Sequence, residues 1–216
     1  MHTLARPALP EQTRNLAKSL MNRYLRDVIV RNWEQDGRPL PPPHQVKQTV
    51  IAEYQRRFNC PILVETGTFR GDMIEAQLKN FDRLISIELS QELYEKACYR
   101  FRKSPQVTIY QGDSGAVLPR IMRVLDRPAV FWLDGHYSAG DTAQGSKECP
   151  IYEELEAIFA QGPRFAHVLL IDDARCFVGQ GDYPTIAALT EFIQAHDPRY
   201  LVEVQDDIIR AVVKGR

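Results

Sequence analysis

Residues Pro61 to Met73, P-I-L-V-E-T-G-T-F-R-G-D-M, decide the fold. A short apolar run, Ile62 to Val64, ends in the acid Glu65, and the chain then passes Gly67 and Gly71 into a segment with helical spacing from Asp72 onward. Strand, glycine turn and helix start in that order aim backbone N–H groups and a helix N-terminus at a small bound molecule. A nucleoside-bearing ligand is therefore expected at this turn, with the chemistry supplied by later strand ends.

Working outward, short apolar runs alternate with helical periods from Pro61 on, as a parallel sheet with covering helices requires. The spacing predicts strands at Ile62–Glu65, Leu84–Glu88, Val107–Gln111, Ala129–Asp134 and His167–Asp172, with helices near 72–80, 91–103, 114–125 and 151–161. The last two β-rich runs, from Tyr200 and from Ile208, flank a short acidic turn and predict an antiparallel hairpin. The expected fold is α/β, Rossmann-like and doubly wound, with a mostly parallel sheet. Upstream, Leu16, Leu20, Tyr24, Leu25, Val28 and Ile29 mark an amphipathic helix over 11–30. The prolines of Gly37–Pro43 break it, and Val46, Val50, Tyr54 and Phe58 mark a second helix. Residues 1–59 are thus read as a helical extension with a proline linker, and 60–216 as the ligand-binding domain. The extension could cover the site or build a homodimer.

The 216 residues suffice for one full core, and a net charge of −1 with pI near 6.5 supplies no basic field for nucleic acid. Cys60, Cys98, Cys149 and Cys176 are too dispersed for a zinc or redox motif and are expected as free thiols in a reducing cytoplasm. No run reaches the roughly 18 apolar residues of a membrane helix, so no membrane association is expected.

Acids track the strand ends: Glu65, Glu88, Asp113, Asp134 and the pair Asp172-Asp173. In an open parallel sheet such ends share one ligand-binding rim. Glu88 follows Gly67 by 88 − 67 = 21 residues, close to the roughly 20-residue spacing at which an acid meets a ribose hydroxyl. The alternative is a solvated acid at a strand end. Phe69 stands where a second close-approach glycine would admit a pyrophosphate, so the ligand is read as a nucleoside without a diphosphate.

These segments carry a family resemblance. E-T-G-T-F-R-G-D (65–72) resembles the first motif of class I S-adenosylmethionine (SAM)-dependent methyltransferases, nearest to the cation-dependent O-methyltransferases of the catechol and caffeoyl-CoA type and to the macrocin-type sugar O-methyltransferases. I-S-I-E-L-S resembles their second motif, Q-G-D-S the segment bordering adenine, and F-W-L-D-G-H and L-L-I-D-D the strands ending in divalent-metal ligands. The resemblance covers residues 60 to 175 in outline. It implies that Glu65, Gly67, Thr68, Gly71, Glu88, Asp113 and Ser114 surround SAM. It also implies that Asp134, Asp172 and Asp173 hold the ion, the last standing where an Asn is often found. Independently of the family, three oxygen donors suit Mg²⁺ or a similar hard cation. The competing reading is that Asp172 caps the following segment and Asp173 is merely solvated.

Catechol-type enzymes place a lysine where this chain has Tyr137, which leaves His136 as the candidate base. His136 could instead be a local hydrogen-bonding group. The polar, glycine-bearing stretch Ser138 to Glu148 reads as a loop over the site, and Arg175 with Phe177 to Tyr183 as a second lid, the alternative for each being a tolerated surface insertion. Trp132 reads as core, while Trp33 and Tyr24 read as burying against a helix partner. The expected activity is metal-assisted O-methylation of a small hydroxylated molecule. Two alternatives stand: a non-catalytic SAM-binding module, and a nicotinamide-dependent dehydrogenase, which the absent pyrophosphate glycine disfavours.

Overall fold

Alternate residues of five apolar runs point to opposite sides of one sheet, so both of its faces must be covered. The computed structural model of the chain describes residues 11–135 and 148–215. Its strands are β1 (Ile62–Thr66), β2 (Arg83–Glu88), β3 (Val107–Gln111), β4 (Ala129–Leu133), β5 (Val168–Ile171), β6 (Tyr200–Gln205) and β7 (Ile208–Val213). They form a seven-stranded sheet in the order β3-β2-β1-β4-β5-β7-β6. The first five strands pair in parallel, and β7 runs antiparallel to both β5 and β6, as the predicted hairpin requires. The strand order reverses between β1 and β4, and the crevice outside their carboxyl ends is where such sheets bind ligands.

Seven α-helices occur among the described residues: α1 (Glu11–Gln35), α2 (His44–Phe58), α3 (Asp72–Gln77), α4 (Gln91–Phe101), α5 (Ser114–Val124), α6 (Ile151–Phe159) and α7 (Ile186–His196). On one face of the sheet Val117, Leu118 and Ile121 of α5, Leu155 and Ile158 of α6, and Leu189 and Ile193 of α7 pack over Ile62, Val64, Phe131, Leu133 and Ile171. The other face, Leu63, Leu84, Val130, Trp132 and Leu170, is covered by Ile51, Tyr54 and Phe58 of α2 with Met73, Ile74 and Phe101. Trp132 is core, as expected.

Three local features differ from the sequence reading. Helix α3 stops at Gln77 rather than near 80, because Asn80 turns back on Gln77 through its amide and backbone, and the N–H groups of Asp82 and Arg83 both donate to the Pro61 carbonyl. That turn is what brings β2 alongside β1. Helix α7, whose end at His196 the sequence places but whose start it does not, begins where the Thr185 side chain accepts from Ala188 N. Helix α1 runs on to Gln35, five residues past the predicted 30.

The chain divides into two compact units, residues 1–47 and 48–216. In the first, Gly37 takes a left-handed conformation after α1, and the Trp33 indole N–H donates to the Pro39 carbonyl at 2.8 Å. Tyr24 is exposed, contrary to its reading as a buried contact. The expected 59/60 boundary lies at the far end of α2, whose residues from Val50 join the core of the second unit. No helix among the described residues is long and apolar enough to cross a membrane. All four cysteines are free thiols.

Candidate active site

The turn after β1 is shaped by what surrounds it. Gly67 has φ +85°, and a Cβ there would lie 2.6 Å from the Asp134 carbonyl oxygen, so only glycine lets β1 pass the end of β4. Gly71, also left-handed, has the Phe101 ring where its side chain would be, so packing alone accounts for this glycine. The N–H groups of Gly67 and Thr68 donate to the Ile87 carbonyl, and that of Gly71 to the Thr68 carbonyl. Phe69, held at φ +48°, donates its N–H to Glu88 Oε2 at 2.7 Å. The N–H groups of residues 67, 68, 69 and 71 are therefore satisfied within the protein. This corrects the expectation that they face a ligand.

Glu88 is buried, with Oε2 receiving Phe69 N and Oε1 receiving Ser90 N at 2.9 Å. One backbone donor on each oxygen fixes the carboxylate and leaves each oxygen a lone pair for vicinal hydroxyls. Glu65, deeper in the sheet, accepts from the Ser86 hydroxyl at 2.5 Å, and Ser86 in turn meets Thr68 Oγ1 at 2.6 Å. Burial pushes the Glu65 carboxyl up to about 8; the Ser86 hydrogen bond opposes this and the nearby Glu88 adds to it. Asp113 is the N-cap of α5, accepting from Ala116 N, and Ser114 is the buried first residue of that helix.

Beyond the switch point the acids converge. Asp134, Asp172 and Asp173 each place a carboxylate oxygen within 4.8 Å of the other two. Asp172 is fully buried, its backbone N–H bonded to Leu133 O, and Asp173 is the N-cap of the 3-10 turn Ala174–Cys176 without a side-chain cap hydrogen bond. Asp173 sits at φ +56°, and Arg175 Nη1 donates to its Oδ1 at 2.9 Å. The same guanidinium pairs with buried Asp207 in the β6–β7 turn, whose Oδ1 also receives Arg175 N and whose carbonyl receives Ala174 N. The hairpin thus braces the segment that carries the last acid.

His136 lies outside the described residues, as does the predicted loop from Ser138 up to residue 147. Glu148, at that loop's end, donates its backbone N–H to Asp182 at 2.9 Å. The 177–183 stretch is closed by the Val178–Thr185 bridge, with Phe177 buried edge-on to the Tyr183 ring, so it is anchored at its base.

Two contributors escaped the sequence reading. Thr66 Oγ1 accepts from both Asp134 N at 3.2 Å and Gly135 N at 3.1 Å. Glu154 of α6 is 0% exposed. Burial pushes its carboxyl up to about 7; the Ser114 and Thr66 hydroxyls oppose this, and the charges of Asp113 and Glu153 add to it. Those hydroxyls lie close enough to act on the carboxyl without reaching full hydrogen-bond geometry. A signal for Glu154 existed: Ile151, Leu155 and Ile158 define a helical stripe on which position 154 must lie.

No family model matches the chain, and no curated protein matches it in sequence. Solved structures do match. A Podospora anserina methyltransferase determined with SAH bound is 15% identical, covering 97% of this chain and 99% of that one, at a TM-score of 0.55. An O-methyltransferase from Bacillus cereus in complex with SAH is 16% identical over 88% and 90% of the two chains, at 0.56. The O-methyltransferase TomG from Streptomyces achromogenes, in complex with SAM, is 17% identical over 88% and 89%, at 0.54. The chain has the Rossmann-like fold of these methyltransferase structures, as the resemblance of its motifs implied.

Proposed function

We propose that this protein is a SAM-dependent methyltransferase that O-methylates a small hydroxylated molecule with the help of a divalent cation such as Mg²⁺. The observation that carries the reading is the convergence of Asp134, Asp172 and Asp173 beside the switch point between β1 and β4. Three carboxylate oxygens this close repel one another unless a positive charge joins them, and an all-oxygen set suits a hard cation. These three residues would hold the ion.

Bound together, cofactor and cation supply a sulfonium methyl and a Lewis acid that lowers the pKa of the acceptor hydroxyl. The protein's own part is positioning. Glu88, locked by Phe69 N and Ser90 N, would accept the two ribose hydroxyls. Gly67 and Thr68 would shape the wall near the methionine end, with Glu65 behind them as a largely protonated group below its pKa of about 8. Asp113 and Ser114 would border the base. His136 is the residue proposed to take the proton of the acceptor hydroxyl.

Calorimetric titration of the full chain with SAH, NAD and Mn²⁺ in turn tests the reading. Saturable heat with SAH and Mn²⁺ and none with NAD is expected. Silence towards SAH would overturn it, and binding of NAD instead would return the dehydrogenase. SAH binding without methyl transfer to any hydroxylated acceptor would favour the binding module.

A further inference from the structure

We propose that Glu154, remote in sequence from every motif above, is a positioning residue that fixes the β4 corner of the site through the Thr66 hydroxyl. A carboxyl buried without full hydrogen bonds is destabilising, and an apolar residue on this face of α6 would avoid that. Its surroundings show what it offsets. Thr66 Oγ1 receives the N–H groups of both Asp134 and Gly135, which occupies its two lone pairs and leaves its single hydrogen to be donated elsewhere.

Glu154 stands where that hydrogen can go. A Cβ at Gly135 would meet Glu154 Oε1 at 3.1 Å and Thr66 Oγ1 at 3.2 Å, so the two side chains flank the same point. Ser114, at the start of α5, faces the carboxyl from the other side. One buried carboxyl thereby joins the end of β1, the Asp134-Gly135 corner after β4 and the helix proposed to border the base. With no exposed surface it touches neither substrate nor cofactor. It acts by orienting Thr66, which holds the backbone from which Asp134 projects.

The test is amide hydrogen exchange at Asp134 and Gly135, followed by NMR in the full chain. In Glu154→Leu and in Thr66→Val, exchange at Gly135 should quicken by about tenfold, as loss of one hydrogen bond implies, and at Asp134 by less, because its N–H also donates to the Thr66 carbonyl. The double variant should be no faster than either single one, since both break the same link. Glu154→Gln, which keeps an acceptor, should restore wild-type exchange. Rates within twofold of wild type in Glu154→Leu, or effects that multiply in the double variant, would overturn the proposal. If Glu154→Leu does not fold, Glu154→Met, which keeps an unbranched side chain but offers no oxygen acceptor, takes its place, and wild-type exchange in it counts against the proposal.

The consequence for function rests on the cation reading: Mn²⁺ affinity should fall about tenfold in Glu154→Leu while SAH affinity stays within threefold. Absence of Mn²⁺ binding in the wild type would sink the cation reading alone, because the exchange rates judge Glu154 without any ion.

Discussion

The two halves of the rim treat their acids differently. On the β1–β2–β3 side each carboxylate is tied to donors of the protein: Glu65 to Ser86, Glu88 to two backbone N–H groups, and Asp113 to the first turn of α5. On the β4–β5 side three carboxylates face one another, and Arg175 donates to one of them, Asp173. Acids held singly by neutral donors suit a ligand that offers hydroxyls, because each keeps acceptor capacity at little electrostatic cost. Acids brought together suit a ligand that offers charge. On the proposed reading, one crevice would hold two chemically distinct receptors, joined at the Gly67–Asp134 contact.

Breaking that joint should have the largest effect. Gly67→Ala forces a Cβ to 2.6 Å from the Asp134 carbonyl at a left-handed φ. Combining left-handed strain with overpacking, a loss of about 2–4 kcal/mol in urea unfolding is expected, together with loss of both SAH and Mn²⁺ binding. Next, Asp172→Ala removes the fully buried acid of the trio and should weaken Mn²⁺ by about a hundredfold or more in calorimetry while leaving SAH affinity intact. Equal loss of both ligands would show that the two halves are not separate receptors. Glu88→Ala should do the converse: SAH weakened by about 10–100-fold, as charged hydrogen bonds of roughly 1.5–3 kcal/mol imply, with Mn²⁺ unchanged.

A smaller effect concerns pH. Glu65 holds its proton up to about 8 when folded, against an ordinary carboxyl value of 4.5. Between those values the folded chain binds more protons than the unfolded one, so this group's contribution to stability is full below about 4.5 and declines as pH rises towards 8. Urea midpoints measured across pH 5 to 8 should fall with this slope, and Glu65→Gln should flatten it. Glu154, at about 7, adds a component of the same sign that Glu65→Gln leaves in place. An unchanged slope in Glu65→Gln would mean that Glu65 is ionised in the folded state.

How far the sequence could be read depends on the range of the forces involved. Strands β1 to β5 were legible because short apolar runs between helical periods admit few other arrangements. The acids were legible because they recur at strand ends. What stayed hidden involves contacts across the sequence. Spacing places Glu88 near a ribose but does not reveal that it holds Phe69 in a left-handed conformation, a bond spanning 19 residues. Asp207 reads as turn chemistry until the hairpin folds it against Arg175, 32 residues away.

The sequence by itself determined the layering of the sheet, the glycine turn and the residue types gathered on the rim, since these follow from local periodicity and from the steric demands of single residues. Only the tertiary structure decided that the turn's N–H groups are spent internally, that three aspartates meet within 4.8 Å, and that Glu154 lies beneath Thr66. The physical reason is that hydrogen bonds and charge act over a few ångströms of space, and the folded chain alone sets which distant residues come that close.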